Sequence, residues 1–152
     1  MASQVIVALR VKASPDRAFE VFTREIGAWW RHNPMFRFTP REPGVLSFDE
    51  GRLIETRAGG KVFEIGKVRV WEPGRRLVFG WRQAAFTPDQ ATEVEVVFEP
   101  VGEETRVSVT HTGWDTVPAE HVARHSWPDS IFMRRHGEWW QGLLASFREQ
   151  VQ

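Results

Sequence analysis

The chain opens on an alternation. Val5, Val7, Leu9 and Val11 interleave with Gln4, Ala8, Arg10 and Lys12, which predicts a strand with one buried face. The period then changes. Ser14-Pro15-Asp16 supplies an N-cap, a proline at the first helical position and an acid at the positive helix end. Ala18, Phe19, Phe22 and Ile26 form the apolar stripe of that helix, Gly27 breaks it, and Ala28-Trp29-Trp30-Arg31 makes a short second one. Residues 33–43 hold Pro34, Pro40 and Pro43 with Phe36 and Phe38 between them, an irregular loop with apolar anchors. Short strand-like stretches follow at residues 44–49, 52–57, 61–71, 75–86, 92–99 and 105–112. Glu50-Gly51, Ala58-Gly59-Gly60, Glu72-Pro73-Gly74, Thr87-Pro88-Asp89 and the acidic turn after Pro100 separate them, so they predict antiparallel hairpins. Residues 118–125 have room for one or two helical turns.

The last stretch, residues 130–152, has helical periodicity throughout. Phe132, His136, Trp139, Trp140, Leu143, Leu144, Phe147 and Val151 recur at steps of three and four and fall on one broad stripe. A helix of this length spans about 30 Å at ~1.5 Å per residue. Asp129 or Ser130 is placed to cap it, after Pro128. Gly137 and Gly142 each weaken it by roughly 1 kcal/mol relative to Ala, so its stability must come from packing. The order β, α, α, a block of strands and a long α predicts an α+β fold. Two short helices follow the first strand, and a curved antiparallel sheet wraps around the C-terminal helix.

Composition narrows the classes of function. A chain of 152 residues is expected to form a single domain, residues 1–152, with a core that needs no staples. It has 0 Cys, which removes disulfides and thiolate chemistry. Its formal net charge of +0 argues against a nucleic-acid surface. No apolar run reaches the ~20 residues of a membrane span. Met1-Ala2-Ser3-Gln4 leads directly into the first strand without a signal-like segment, so the expected location is cytoplasmic. The unusual feature is 8 Trp beside 0 Tyr, because each buried indole N–H needs a partner. Such an excess describes either an aromatic-lined pocket or a bulky core.

Several stretches, taken in order, resemble the START-like SRPBCC superfamily. They are Ala13-Ser14-Pro15-Asp16-Arg17-Ala18-Phe19, Gly66-Lys67-Val68-Arg69-Val70-Trp71-Glu72-Pro73, Arg76-Leu77-Val78-Phe79-Gly80-Trp81, Thr92-Glu93-Val94-Glu95-Val96, Thr105-Arg106-Val107 and Thr110-His111-Thr112-Gly113-Trp114. Within it they are similar to the branch of the activator of the heat-shock chaperone ATPase. Trp140, Leu144 and Phe147 match that branch's final helix, except that Trp139 stands where a glycine usually precedes the Trp. The resemblance implies a helix-grip fold with a cavity between curved sheet and long helix. Its members include lipid carriers, cyclases, aromatases and hormone receptors, so it implies far less about function.

Strand parity selects the groups that face the helix. Val94, Val96 and Phe98 point inward, as do Leu77, Phe79 and Trp81, and Val107 and Val109 carry His111 inward with them. Val68 and Val70 set a parity that Glu64 follows, and Leu53 shares a face with Glu55. Each polar group also has a plain structural reading. His111 can be a hydrogen-bonded core histidine; a bulge can invert the face that carries Glu55; Glu64 lies near a strand start, close to solvent. Trp29-Trp30 and Trp139-Trp140 can stack planar ligands, although adjacent aromatics on a helix usually split between core and rim, and His136, one turn before Trp140, faces either the cavity mouth or the surface. The candidate lining is therefore Trp30, Glu55, Glu64, Phe79, Trp81 and His111, with Phe132, His136 and Trp140 from the helix.

Other chemistry is weakly marked. His121 and His125 share a helical face but lack the glutamate of a zinc-protease motif, and no third ligand is evident, so neither metal nor cofactor is expected. Three functions fit. The first is binding of a small hydrophobic or aromatic molecule in the cavity. The second is an enzyme of the cyclase, aromatase or hydrolase type using His111 and a glutamate. The third, less favoured, is a co-chaperone that stimulates a chaperone ATPase; the chain shows neither a second docking domain nor a concentrated charge patch.

Overall fold

A computed structural model describes residues 4–33, 38, 43–118, 121–125 and 127–152. Strand β1 spans Val5–Val11, followed by helices α1, Pro15–Arg24, and α2, Ile26–Trp29. The meander is β2 Val45–Asp49, β3 Arg52–Thr56, β4 Val62–Glu72, β5 Arg76–Trp81, β6 Thr92–Val101 and β7 Glu104–Thr112. Two 3₁₀ turns, Trp114–Thr116 and Val122–Arg124, lead to helix α3, Asp129–Val151. All strand pairs are antiparallel, in the order β1-β7-β6-β5-β4-β3-β2, so the N-terminal strand closes one edge beside β7. The helix lies on one face of this sheet, the arrangement the resemblance implies. Phe36, Pro34, Pro40 and Ser126 lie outside the described residues.

The local signals act as their chemistry dictates. Ser14 Oγ accepts the Arg17 N–H at 3.2 Å and caps α1, with Pro15 at its first position. The start of α3 differs from expectation. Its N-cap is Pro128, and neither Asp129 nor Ser130 caps it. Asp129 instead pairs with the buried Arg124, which fixes the helix start by tertiary contact. Strand β5 ends at Trp81 rather than Phe86, because its partner β6 begins opposite, at Thr92. The chain then leaves the sheet, and the Ala84 N–H bonds the Phe38 carbonyl at 2.6 Å.

One end of the helical stripe closes the core against α1 and α2. Phe147 is fully buried, its ring 5.4 Å from both Phe22 and Trp29. The Trp29 indole donates to the Val21 carbonyl at 3.1 Å, and Ser146 Oγ–H donates to the Trp29 carbonyl at 2.6 Å. In β4 the register shifts twice, at the Leu53/Ile54 partners and between Val68 and Val70, and such bulges bend a sheet. Beside the first bulge, Gly66 crosses so close to β5 that a Cβ on it would lie 1.8 Å from the Gly80 carbonyl oxygen. The helical Gly142, by contrast, faces open space.

Two stability predictions come from this packing. Phe147→Ala should lower unfolding free energy by about 3–5 kcal/mol in urea melts, as loss of a large core aromatic does. A value below about 1 kcal/mol would mean that this helix end contributes little. The two glycines should behave oppositely in thermal melts. Gly142→Ala should add about 0.5–1 kcal/mol through helix propensity, whereas Gly66→Ala should cost about 1–3 kcal/mol or more by forcing β4 off β5.

Candidate functional site

The polar centre of the fold is His111. Strand parity carries it inward with Val107 and Val109, and it is 0 % exposed. Its partners come from β6 and α3. His111 Nε2 lies 2.9 Å from Thr92 Oγ1, and the Thr92 hydroxyl donates its hydrogen to the Trp81 carbonyl at 2.8 Å. The hydroxyl oxygen is therefore an acceptor, and His111 Nε2 carries the ring proton. His111 Nδ1 then holds the lone pair, and it accepts the Trp140 indole N–H at 3.2 Å. His136 Nε2 sits 2.9 Å from the same Nδ1, so it too must bear a hydrogen. Three side chains thus converge on one imidazole and tie β6, β7 and α3 together.

Both histidines are uncharged. Burial pushes His111 well below the ordinary histidine range, and repulsion from a charged His136 adds to that. Burial alone pushes His136 down to about 3.

Aromatic rings surround this pair. Trp81 packs on His111 at 5.0 Å and Trp114 at 5.2 Å, while His136 stacks on Phe132 at 5.3 Å. Trp30 touches Trp81, Trp139 and Trp140 at 5.8, 5.7 and 5.8 Å. Both members of each adjacent tryptophan pair, Trp29-Trp30 and Trp139-Trp140, are buried. The loop residue Phe38 seals the cluster, 4.6 Å from Trp81. Arg124, also buried, holds the entry to α3. It donates to the Trp114 and Val117 carbonyls at 3.3 and 2.8 Å, pairs with Asp129, and lies 4.6 Å over the Phe132 ring.

The structure brings together Trp30, Trp81, His111, Phe132, His136 and Trp140. The other three predicted residues have their described contacts elsewhere. The Phe79 ring contacts Phe48 at 5.4 Å. Phe48, with Val68, Trp71, Arg24 and Arg52, lines a separate open groove of about 460 Å³ between α1 and the sheet. Glu55 is buried on the inner face of β3, where it accepts the Gly44 N–H at 3.2 Å. Glu64 does not face inward. The bulge at Ile65 pairs Glu64 with Ile54 and Gly66 with the inward Leu53, which flips the parity. Glu64 is left half-exposed, in an ion pair with Arg52 at 3.5 Å.

Three members of the cluster were not in the predicted lining. Thr92 shares parity with Val94, Val96 and Phe98, a signal present in the sequence. Trp139 lies on the helical stripe beside Trp140, a signal also present in the sequence. Trp114 depends on Gly113, whose φ of 94° turns the chain back under α3, and the linear pattern carries no sign of that. Outside the cluster, His121 is engaged locally, its Nε2 3.0 Å from the Ala85 carbonyl and its Nδ1 accepting the Ala123 N–H.

The sequence profile of Activator of Hsp90 ATPase homolog 1-like protein matches residues 12–134. The chain belongs to this family. Solved structures agree on the fold. The Aha1 dimer from Colwellia psychrerythraea has a TM-score of 0.62 at 20% identity, over 97% of this chain and 95% of that one. Protein MLL2253 from Mesorhizobium loti has a TM-score of 0.64 at 15% identity, over 97% and 96%. Txn09, an anthrahydroquino-γ-pyrone synthase, is 27% identical with a TM-score of 0.56, over 97% and 96%. Among curated proteins no sequence match was found. The family's START-like helix-grip architecture is the one described above. Among the described residues, no three His, Asp or Glu side chains gather to hold a metal, and no helix is long and apolar enough to cross a membrane.

The histidine pair sets an acid-stability prediction. A histidine kept neutral in the fold binds its proton in the unfolded chain first. The stability linked to it is complete above about pH 6.5 and falls as pH drops from there toward about 3. Each such histidine should cost up to about 1.4 kcal/mol per pH unit. Between pH 6.5 and 5, chemical melts of His136→Leu should show a slope shallower by about that amount. An unchanged slope would mean that His136 does not titrate on unfolding.

Proposed function

We propose that this chain binds a small, flat, hydrophobic or aromatic molecule between the sheet and α3. One observation carries the reading: Trp30 just after α2, Trp81 on β5 and Trp140 on α3 meet around two uncharged histidines where sheet and helix join. Binding sites for such molecules are mostly apolar, with a few placed polar groups. A neutral imidazole pair in an aromatic box suits an uncharged ligand. The activity named for Txn09 supports a polycyclic aromatic one. Because the rings touch one another, binding requires them to part. The first turns of α3 carry Phe132 and His136, and Arg124 ties those turns to the Trp114–Thr116 turn.

A second reading is catalytic. His136 Nε2 and His111 Nδ1 are 2.9 Å apart and neutral, and the pair can act as a base toward a bound molecule once their mutual hydrogen bond opens, because His111 Nδ1 otherwise accepts two donors. Neither glutamate is needed for that step, and Glu64 is on the wrong face for it.

Tryptophan fluorescence tests the binding reading. Titration with a panel of planar two- to four-ring aromatics should give saturable quenching with at least one member. Trp30→Leu, checked for fold by circular dichroism, should weaken that binding about tenfold or more, since Trp30 touches three other rings of the box. Absence of saturable quenching across the panel would overturn the proposal. Chemical change of a bound member on incubation would favour the catalytic reading over simple binding.

A further inference from the structure

A count of hydrogen bonds around His111 shows a surplus of donors. The Thr92 hydroxyl hydrogen is taken by the Trp81 carbonyl, and Thr92 Oγ1 accepts His111 Nε2–H. His111 Nδ1 already serves two donors, Trp140 Nε1–H and His136 Nε2–H. Two further donors in the same cluster have no acceptor among the described groups: Trp81 Nε1–H and Trp114 Nε1–H. Both are buried, their rings 2 % and 0 % exposed, and both rings lie directly against His111. Arg124 Nε–H, beside Trp114 across the Phe132 ring, is a third.

Orphaned donors of this kind are uncommon. More than nine in ten buried polar groups are paired, and each unpaired one is destabilising. Two indoles flanking one imidazole are therefore poised for an acceptor from outside the chain.

We propose that the ligand of this site is an oxygen acceptor, a planar ketone, quinone or lactone whose oxygen takes the indole N–H of Trp81 or Trp114. The inference rests on the binding reading above and narrows it to a chemical class. It excludes two alternatives that an aromatic box otherwise welcomes. A quaternary or protonated amine fits the ring faces, but it offers nothing to an N–H donor. A pure hydrocarbon leaves both donors unpaired.

Fluorenone and fluorene give the direct comparison, being flat tricyclic molecules that differ at one carbonyl. Protein labelled with ¹⁵N in its tryptophan indoles would be titrated with each, the resonances being assigned from Trp81→Phe and Trp114→Phe. The expected result is that fluorenone binds roughly tenfold tighter than fluorene, the worth of one good hydrogen bond. The Trp81 or Trp114 indole proton should move downfield with fluorenone only. The corresponding Phe variant should bring the two affinities together. Equal binding with unmoved indole protons would overturn the acceptor proposal and leave the binding reading intact. An indole proton already at a hydrogen-bonded shift, with an Overhauser effect to water, and unmoved by fluorenone, would assign the donors to a structural water and also overturn it. Failure of both compounds to bind, together with a silent fluorescence panel, would remove the binding reading and this proposal with it.

Discussion

The fold depends on satisfying one buried imidazole. His111 lies at the junction of sheet and long helix, where an unpaired polar group would cost about 1–3 kcal/mol. Thr92 on β6, Trp140 on α3 and His136 one turn earlier converge on it. These bonds are directional, so they set where α3 sits along the sheet as well as holding it there. Apolar burial alone does not fix such a register, because it is non-directional. Burial keeps both histidines neutral, so the centre of the fold is polar but uncharged.

Around that centre most of the tryptophans fall into two regions, while Trp71 lines the groove beside α1. Trp29 completes an ordinary core with Phe22 and Phe147, its indole bonded to a backbone carbonyl. Trp30, Trp81, Trp114 and Trp140 gather instead at the histidine pair, where Trp81 and Trp114 keep donors without acceptors. The same residue type thus fills space at one end of the helix and presents chemistry at the other. Arg124 fixes the first turn of α3, the part of the helix that carries Phe132 and His136 over the site.

Most of the architecture was legible from periodicity. The alternating strands, their Gly and Pro turns and the long stripe from Phe132 to Phe147 are local signals, and each acts through the neighbours it has in sequence. His111 was placed inward by the parity of Val107 and Val109, and that parity holds along β7. On β4 the parity set by Val68 does not reach Glu64. One extra residue at Ile65 puts Glu64 on the opposite face from the one that Val68 predicts, and no composition marks a bulge in advance. Trp114 escaped for a related reason, since a left-handed glycine after β7 redirects the chain.

The sequence by itself determined the order of elements, the faces of unbulged strands and the apolar side of α3, because those depend on spacings of two and of three to four residues. Tertiary structure decided which polar groups meet. The His111–His136 contact joins positions 25 residues apart, and the Thr92–His111 bond joins positions 19 apart. Such pairings depend on strand register, bulge position and the docking of a helix on a sheet. Those are properties of the whole chain packed at once, and no local spacing encodes them.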